Sequence, residues 1–256
     1  MKIASYNVNG LRAAIRKGFL EWLERESPDV ICLQEVKALP ADLDLSLFES
    51  LGYHHNFFAP AEKKGYSGVA ILSKTAPDKI IVGHGAAQSD AEGRLLRADF
   101  GDVTVLSAYF PSGSAGELRQ TYKFQWLEEL TATLKKLHRT RKKVLLCGDY
   151  NMAHRAIDVH NPKPASKLSG FLPAEQEWME QFFKSGYHDT FRHFNPESTG
   201  AYSWWNQRMP SLRTENKGWR IDCIAHSKAL HPHMKSAGIL PDAVHSDHCP
   251  VWVCYE

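Results

Sequence analysis

Acidic residues stand beside short, apolar, β-prone runs at four places in this chain. These are Val30–Glu35 (VICLQE), Val144–Asn151 (VLLCGDYN), Arg220–Asp222 at the head of RIDCIAH, and Ser246–His248 (SDH) before the run Pro250–Tyr255. A carboxylate at the end of a buried strand is costly unless it is paired or holds a cation. The four sites span more than two hundred residues. They predict a fold that draws distant strand ends to one place, around a metal.

The rest of the chain is read in the light of that demand. Strands are predicted over Ile3–Val8, Val30–Gln34, Val69–Ser73, Leu95–Phe100, Val103–Phe110, Val144–Gly148, Ile221–His226 and Val251–Tyr255, each flanked by Gly, Pro, Asn or Asp. Helical periodicity predicts one helix over 11–26, with Ile15, Phe19, Trp22 and Leu23 inward and a stop before Pro28. A second covers 118–138, where Leu118, Tyr122, Trp126, Leu130, Leu134 and Leu137 form an apolar stripe. A third opens at Pro173, with Trp178, Phe182 and Phe183 on its inner face.

From 69 to 110 strands follow one another with no helix between them. This predicts mixed or antiparallel sheets with helices packed outside. No Gly-, Ser- or Pro-rich linker divides the 256 residues, so one domain over 1–256 is expected. The polar, irregular stretches 154–170 and 193–219 are long for loops in a compact domain, and such loops are commonly functional. Arg139–Lys143 reads as a solvated helix end.

A net charge of +2 is too small to attract nucleic acid in bulk, so an anionic ligand must be drawn by local basic clusters. The five cysteines have neither zinc-knuckle nor redox CxxC spacing and read as reduced thiols of a cytoplasmic protein. The first residues are already strand-like, leaving no room for a signal peptide, and no apolar run approaches the ~20 residues that span a bilayer.

In GDYN, Gly148 permits a tight turn while Asp149 and Asn151, two apart, can face one side. A carboxylate and an amide so placed suit a hydrated hard cation and a phosphate oxygen, though Gly-Asp-Asn clusters also make plain turns. In SDH, a protonated His248 can donate to a phosphoryl oxygen. Such an imidazolium needs a carboxylate to orient it, and Asp222 is the candidate. Glu35 suits a metal, or a salt bridge to Lys37. Asn7 and Asn9 flank the end of the first strand, where asparagine also forms turns. Together these features read as a hydrolase of phosphate esters.

The same residues carry a family resemblance. YNVNGLRA, LQEVK, GYSGVAILS, EGR, YFPSG, GDYN, SGFLPAEQEWM, YSWW, GWRID and SDHCP occur in an order and spacing similar to the exonuclease III-type AP endonucleases of the endonuclease/exonuclease/phosphatase superfamily. The resemblance implies a four-layer α/β sandwich, two packed mixed β-sheets flanked by helices. It implies hydrolysis of the DNA phosphodiester 5′ to abasic sites, with 3′-end processing and 3′–5′ exonuclease activity on duplex DNA. Mg²⁺ would be the cofactor, with Mn²⁺ able to substitute. The partner would be double-stranded DNA with abasic sites or blocked 3′ ends, bound by a monomer.

Carried over residue by residue, the resemblance implies catalytic roles for Asp149, His248, Tyr109, Asp222 and Asn151. It places Asn7, Glu35, Asp149, Asn151, Asp247 and His248 at the metal. Trp204, Trp219 and Ile221 would line an abasic-deoxyribose pocket. Arg12, Lys37, Tyr66 and Arg94 would lie along the DNA backbone, with Lys63 and Lys64 adding to the patch. Asn9 stands where some relatives carry aspartate. The loop Ser112–Gly116 and Arg208 occupy regions that set the balance of endonuclease and exonuclease work. A phosphatase of inositol phosphates or sphingomyelin fits the tryptophan-rich 204–219 region and SGFLP less well. A non-catalytic nucleic-acid-binding relative would lack the acids Glu35, Asp149, Asp222 and Asp247.

Overall fold

The central strands are apolar at nearly every position because both of their faces are covered. The computed structural model describes residues 1–256. Its strands are β1 Lys2–Asn7, β2 Val30–Gln34, β3 His55–Ala59, β4 Val69–Ser73, β5 Lys79–Val82, β6 Leu95–Phe100, β7 Val103–Tyr109, β8 Lys143–Asp149, β9 Tyr187–Asp189, β10 Asp222–Ser227, β11 Met234–Ile239 and β12 Val251–Tyr255. They form two six-stranded mixed sheets, ordered β11-β12-β1-β2-β4-β3 and β5-β6-β7-β8-β10-β9.

Side chains alternate between cores along each strand. Leu145 and Cys147 of β8 point into the core between the sheets with Ile3, Val30, Ile71 and Val105. Val144 and Leu146 point outward against Trp126, Leu127, Leu130 and Leu134 of the helix Glu117–Leu137. On the other sheet, Ala4, Tyr6, Ile31 and Leu33 meet Leu11, Phe19, Trp22 and Leu23. The result is a four-layer α/β sandwich. Burying each such large apolar side chain contributes about 1.5–3 kcal/mol.

Each sheet has one parallel pair at its centre, β1 with β2 and β7 with β8. Parallel neighbours need a crossover, here made by helices over 11–26 and by Glu117–Leu137. This topology sets the C-terminal ends of both pairs side by side, where open α/β sheets place their ligands.

Three local expectations need correcting. The predicted helix over 11–26 is two, Leu11–Arg16 and Phe19–Glu26, because Gly18 takes a left-handed φ of 91°. Leu118 is 88% exposed and off the buried stripe, since it lies in the helix's first turn, beyond the sheet it packs on. A short helical turn, Ala87–Asp90, interrupts the 69–110 strand run. The strands not anticipated, β3, β5, β9 and β11, are the four sheet edges. Edge strands are half-covered and polar in part, so their sequences carry little β signal.

Candidate active site

Register decides which side chains meet. In the second sheet Tyr109 lies opposite Asp149, and Asp149 opposite Asp222, forming a row across three strands. In the first sheet Asn7 lies opposite Gln34, and Glu35 follows. The two rows face each other at the strand ends. There the Asn7 Nδ2 donates to Glu35 Oε1 and to Asp149 Oδ2, both at 2.8 Å.

The turn that aims Glu35 is a tertiary product. Glu35 and Lys37 take left-handed φ values of 50° and 52°, unusual for these residue types. Backbone bonds hold them there. Gly10 and Leu11 donate to the carbonyls of Glu35 and Val36, while Val36 and Lys37 donate to those of Gly68 and Ser67. Asn9 and Asn151, at the same site, are left-handed too. Such strain persists where surrounding structure over-determines it, and it gathers at functional sites.

The charged centre is asymmetric. His248 Nδ1 is 2.9 Å from Asp222 Oδ2, and its Nε2 is 3.8 Å from Asp149 Oδ2. Burial pulls the imidazole down, but Asp222, Asp149 and Asp247 outweigh it and raise the pKa to about 10. His248 is therefore an imidazolium at neutral pH. Burial, with Asp222 and Glu35 nearby, pushes the Asp149 carboxyl up to about 7 despite His248. Glu35 goes the other way: burial raises it, but Lys37 at 2.6 Å and the Asn7 amide hold it below the ordinary range. Tyr109 is pushed well up by burial and by Glu35, so it remains a phenol donor. Arg94 stacks 4.6 Å over its ring.

Ligand atoms of Glu35, Asp149 and His248 lie within 4.8 Å of one another. The chemistry divides this trio. Glu35 and Asp149 are hard oxygen donors that crowd together and share one amide, a surplus of negative charge that fits a divalent cation. His248 stands with them among the groups that could hold the ion, and in its protonated form it is a donor facing the site. Asn7 points its amide nitrogen at both carboxylates, while its Oδ1 accepts from the Asn9 backbone. It bridges the ligands in this arrangement. One Asp247 oxygen accepts a hydrogen bond from Asn9 at 2.9 Å and the other from Trp204 Nε1 at 3.1 Å, which ties Asp247 to the same centre. Asn151 donates to the Phe110 carbonyl and to Asp149.

Beside His248 lies a pair of half-buried tryptophans. Trp204 and Trp219 exchange backbone hydrogen bonds at 2.9 Å, and their rings meet edge to face at 6.2 Å. Ile221 lies in the small apolar cluster beneath them, and the Trp204 ring is 6.3 Å from that of His248.

Arg12, Lys37, Lys63, Lys64 and Tyr66 gather around one cleft of about 170 Å³. Arg16, not anticipated, joins Arg12 and Lys37 at the adjoining cleft. Arg94 is a further correction. It is 2% exposed and donates to Glu92, Tyr66 and the Tyr109 carbonyl, so it props those groups from behind and does not face a solvent-borne strand. A cleft of about 720 Å³ lies on the outer face between helices Glu117–Leu137 and Pro173–Lys184 and contains no site residue.

Sequence reasoning missed the supports. Ser203 Oγ donates to Asp222 Oδ2 at 2.7 Å and accepts the backbone N–H of Ile221 and Asp222. The fully buried Lys123 donates to the Asn151 carbonyl and pairs with Glu175 at 2.6 Å. Glu175 in turn accepts from the backbone of Gly170 and Leu172. Asp158 binds Arg192 and Arg220, pinning the 154–170 loop. A serine inside YSWW and a lysine on a helix give no sign of this in sequence.

Residues 4–248 match the model of the Endonuclease/Exonuclease/phosphatase family. An exodeoxyribonuclease of Bacillus subtilis (strain 168) is 42% identical over 252 residues, covering 98% of each chain. An AP endonuclease from Archaeoglobus fulgidus superposes with a TM-score of 0.91 at 29% identity, covering 100% of this chain and 99% of that one. A 3′ phosphatase, NExo from Neisseria, bound to product DNA hairpin, gives 0.91 at 27% identity, covering 100% of this chain and 99% of that one.

Proposed function

The chain belongs to the endonuclease/exonuclease/phosphatase family, and on that footing we propose that it is a metal-dependent DNA repair nuclease. It hydrolyses the phosphodiester 5′ to abasic sites and processes 3′ ends as 3′-phosphodiesterase and 3′–5′ exonuclease. The observation that carries this is the pairing of a carboxylate-rich strand-end centre with the Trp204 and Trp219 rings beside His248.

Glu35 and Asp149, steadied by Asn7, are the residues that would hold Mg²⁺, or Mn²⁺ in its place. When bound, the ion supplies Lewis-acid stabilisation of charge on the phosphate. The other roles fall to this chain's own groups. Asp149 accepts a proton from the attacking water. The water oxygen bonds to phosphorus as the O3′–P bond breaks, and the departing oxygen takes a proton from solvent water to become the upstream 3′-hydroxyl. The His248 imidazolium, kept charged by Asp222, donates to a phosphoryl oxygen. Tyr109 and Asn151 add neutral donors, and preorganised donors of this kind contribute about 10²–10³-fold each.

Trp204, Trp219 and Ile221 receive the extruded sugar. A recess that admits a deoxyribose without its base excludes an intact nucleotide, and an unpaired residue is cheap to flip. Arg12, Lys37, Tyr66, Lys63 and Lys64 fix the duplex through its phosphates. The protein acts as a one-domain monomer. A reducing, cytoplasmic setting suits its five unpaired thiols, and no helix is long and apolar enough to cross a membrane.

The deciding assay uses a duplex carrying one tetrahydrofuran abasic analogue, run beside a 3′-phosphate end and an undamaged recessed end. Incision with Mg²⁺, and none with EDTA or for Asp149→Ala, is expected. Binding without incision by the unaltered protein would overturn the reading.

A further inference from the structure

Trp204 meets the active centre through two different parts of its side chain. Its ring stands 6.3 Å from that of His248, and its indole Nε1 donates to Asp247 Oδ2 at 3.1 Å. We propose that Trp204 is a positioning residue for the chemistry as well as a wall for the sugar: its ring meets the substrate while its N–H holds Asp247 in place beside His248. This rests on the nuclease reading above and goes beyond it. It gives the tryptophan a part in the turnover of every substrate, including those whose sugar it does not receive.

The backbone leaves the indole little freedom, because residues 203–205 are bonded along both edges. On one edge Ser203 and Trp204 donate to the Trp219 carbonyl and Trp219 donates back to Trp204, all at 2.9 Å. On the other, Trp205 donates to the Asp247 carbonyl at 3.0 Å, and Cys249 to that of Ser203 at 2.7 Å. Trp204 thus bridges in antiparallel fashion to both Trp219 and His248. Tryptophan has few side-chain torsions, so a pinned backbone and an edge-to-face contact with Trp219 aim its nitrogen.

Asp247 depends on that aim. Its Oδ1 accepts from Asn9 at 2.9 Å and from Ser246 Oγ at 3.3 Å, whereas Trp204 is the side-chain donor to Oδ2. Without the indole, the second oxygen loses its partner and the carboxylate is free to turn about its last bond. An indole N–H can only donate, so the polarity of this bond is fixed. Asp247 is in turn one of the acids that keep His248 an imidazolium. Ser203 does the same service for Asp222 at 2.7 Å, so two successive residues hold two of the acids around His248. A phenylalanine at 204 would keep a ring against His248 and Trp219 but lose the bond.

Trp204→Phe and Trp204→Ala separate the two duties. Both are assayed on the tetrahydrofuran duplex and on a duplex with a 3′-phosphate end, whose phosphate is reached without extruding a sugar. Trp204→Phe should lower kcat on both substrates about tenfold, the scale of one hydrogen bond to a charged group, with KM within about twofold of the parent. Trp204→Ala should show the same kcat loss and, for the tetrahydrofuran duplex alone, a raised KM. In an Asp247→Ala background Trp204→Phe should cost nothing more, because the acceptor is gone. In ¹H–¹⁵N spectra, the indole signal missing from Trp204→Phe should exchange slowly with solvent in the parent and faster in Asp247→Ala. Melting temperatures within a few degrees of the parent will establish that the variants fold. An unchanged kcat in Trp204→Phe, or a loss confined to the tetrahydrofuran duplex, overturns the proposal. So do losses that multiply in the Asp247→Ala background, or an indole signal indifferent to Asp247→Ala. A parent that incises nothing sinks the nuclease reading instead, and the indole signal then still decides whether Trp204 holds Asp247.

Discussion

Two buried charge clusters meet on either side of Ile221, and they are built on opposite plans. On one side Arg220 joins Arg192, Asp158 and Asp189 in a closed set, two cations against two anions. Burial raises Asp158, but the two arginines outweigh it and hold its carboxyl far below the usual range. On the other side Asp222 joins Asp149, Asp247 and Glu35, four carboxylates against His248 and Lys37. There Asp149 is pushed up to about 7, and Asp222 Oδ1 is buried with no hydrogen-bond partner. A network that only holds a fold together satisfies itself. One that leaves charge unsatisfied is arranged for a ligand.

The sharpest break of this comparison exchanges one acid on each side. Asp149→Asn should lower kcat for abasic-site incision by about 10³-fold, because it removes the base, while melting at or above the parent temperature. Removing a carboxylate from a surplus should not destabilise. Asp158→Ala should do the reverse and cost about 3–5 kcal/mol in denaturant unfolding, since it strands two buried guanidinium groups beside one remaining acid. If Asp149→Asn unfolds as easily as Asp158→Ala, the distinction is wrong.

A milder change separates the members of the active centre. Asp222→Asn should cut incision about 10²-fold, and the His248 pKa, followed by NMR, should fall from about 10 toward the ordinary ~6.5. Stability against pH should divide along the same line. His248 is raised in the fold, so its contribution is complete below ~6.5 and is lost as pH rises through about 10. Asp158 is depressed, so its contribution is complete above ~3.9 and is lost as pH falls below that value. Melting curves of His248→Gln should therefore lack part of the alkaline decline and keep the acid one. The smallest effect is expected at the basic cleft. Arg12→Ala should leave kcat unchanged and reduce the salt slope of duplex binding by about 0.9, one phosphate contact.

Much of this site could be read in the chain because its chemistry sits beside strong β signals. VICLQE, GDYN, RIDC and SDH each join a buried strand to a polar end, and the central strands are apolar enough to be seen alone. The edge strands β3, β5, β9 and β11 were illegible for the opposite reason: each lacks a neighbour on one flank, and β3, β5 and β11 are largely half-buried or exposed while β9 is only three residues long. Leu118 shows the limit of periodicity: it repeats correctly along the helix but lies beyond the sheet that would bury it. Arg94 looked like a surface cation and is a buried prop, since sequence carries no measure of depth.

Residue type and order alone determined the inventory: which acids, amides and aromatics the protein has, and that mixed or antiparallel sheets with outer helices would carry them, the family resemblance adding that the sheets are two. Tertiary structure alone decided the juxtapositions. Strand register set Tyr109, Asp149 and Asp222 in one row. The left-handed turn at Glu35, held by backbone from two other segments, aimed it across the sheets at Asn7 and Asp149. The reason is physical. A side chain's intrinsic chemistry is local, whereas its protonation, partners and direction depend on groups that the fold brings from far along the chain.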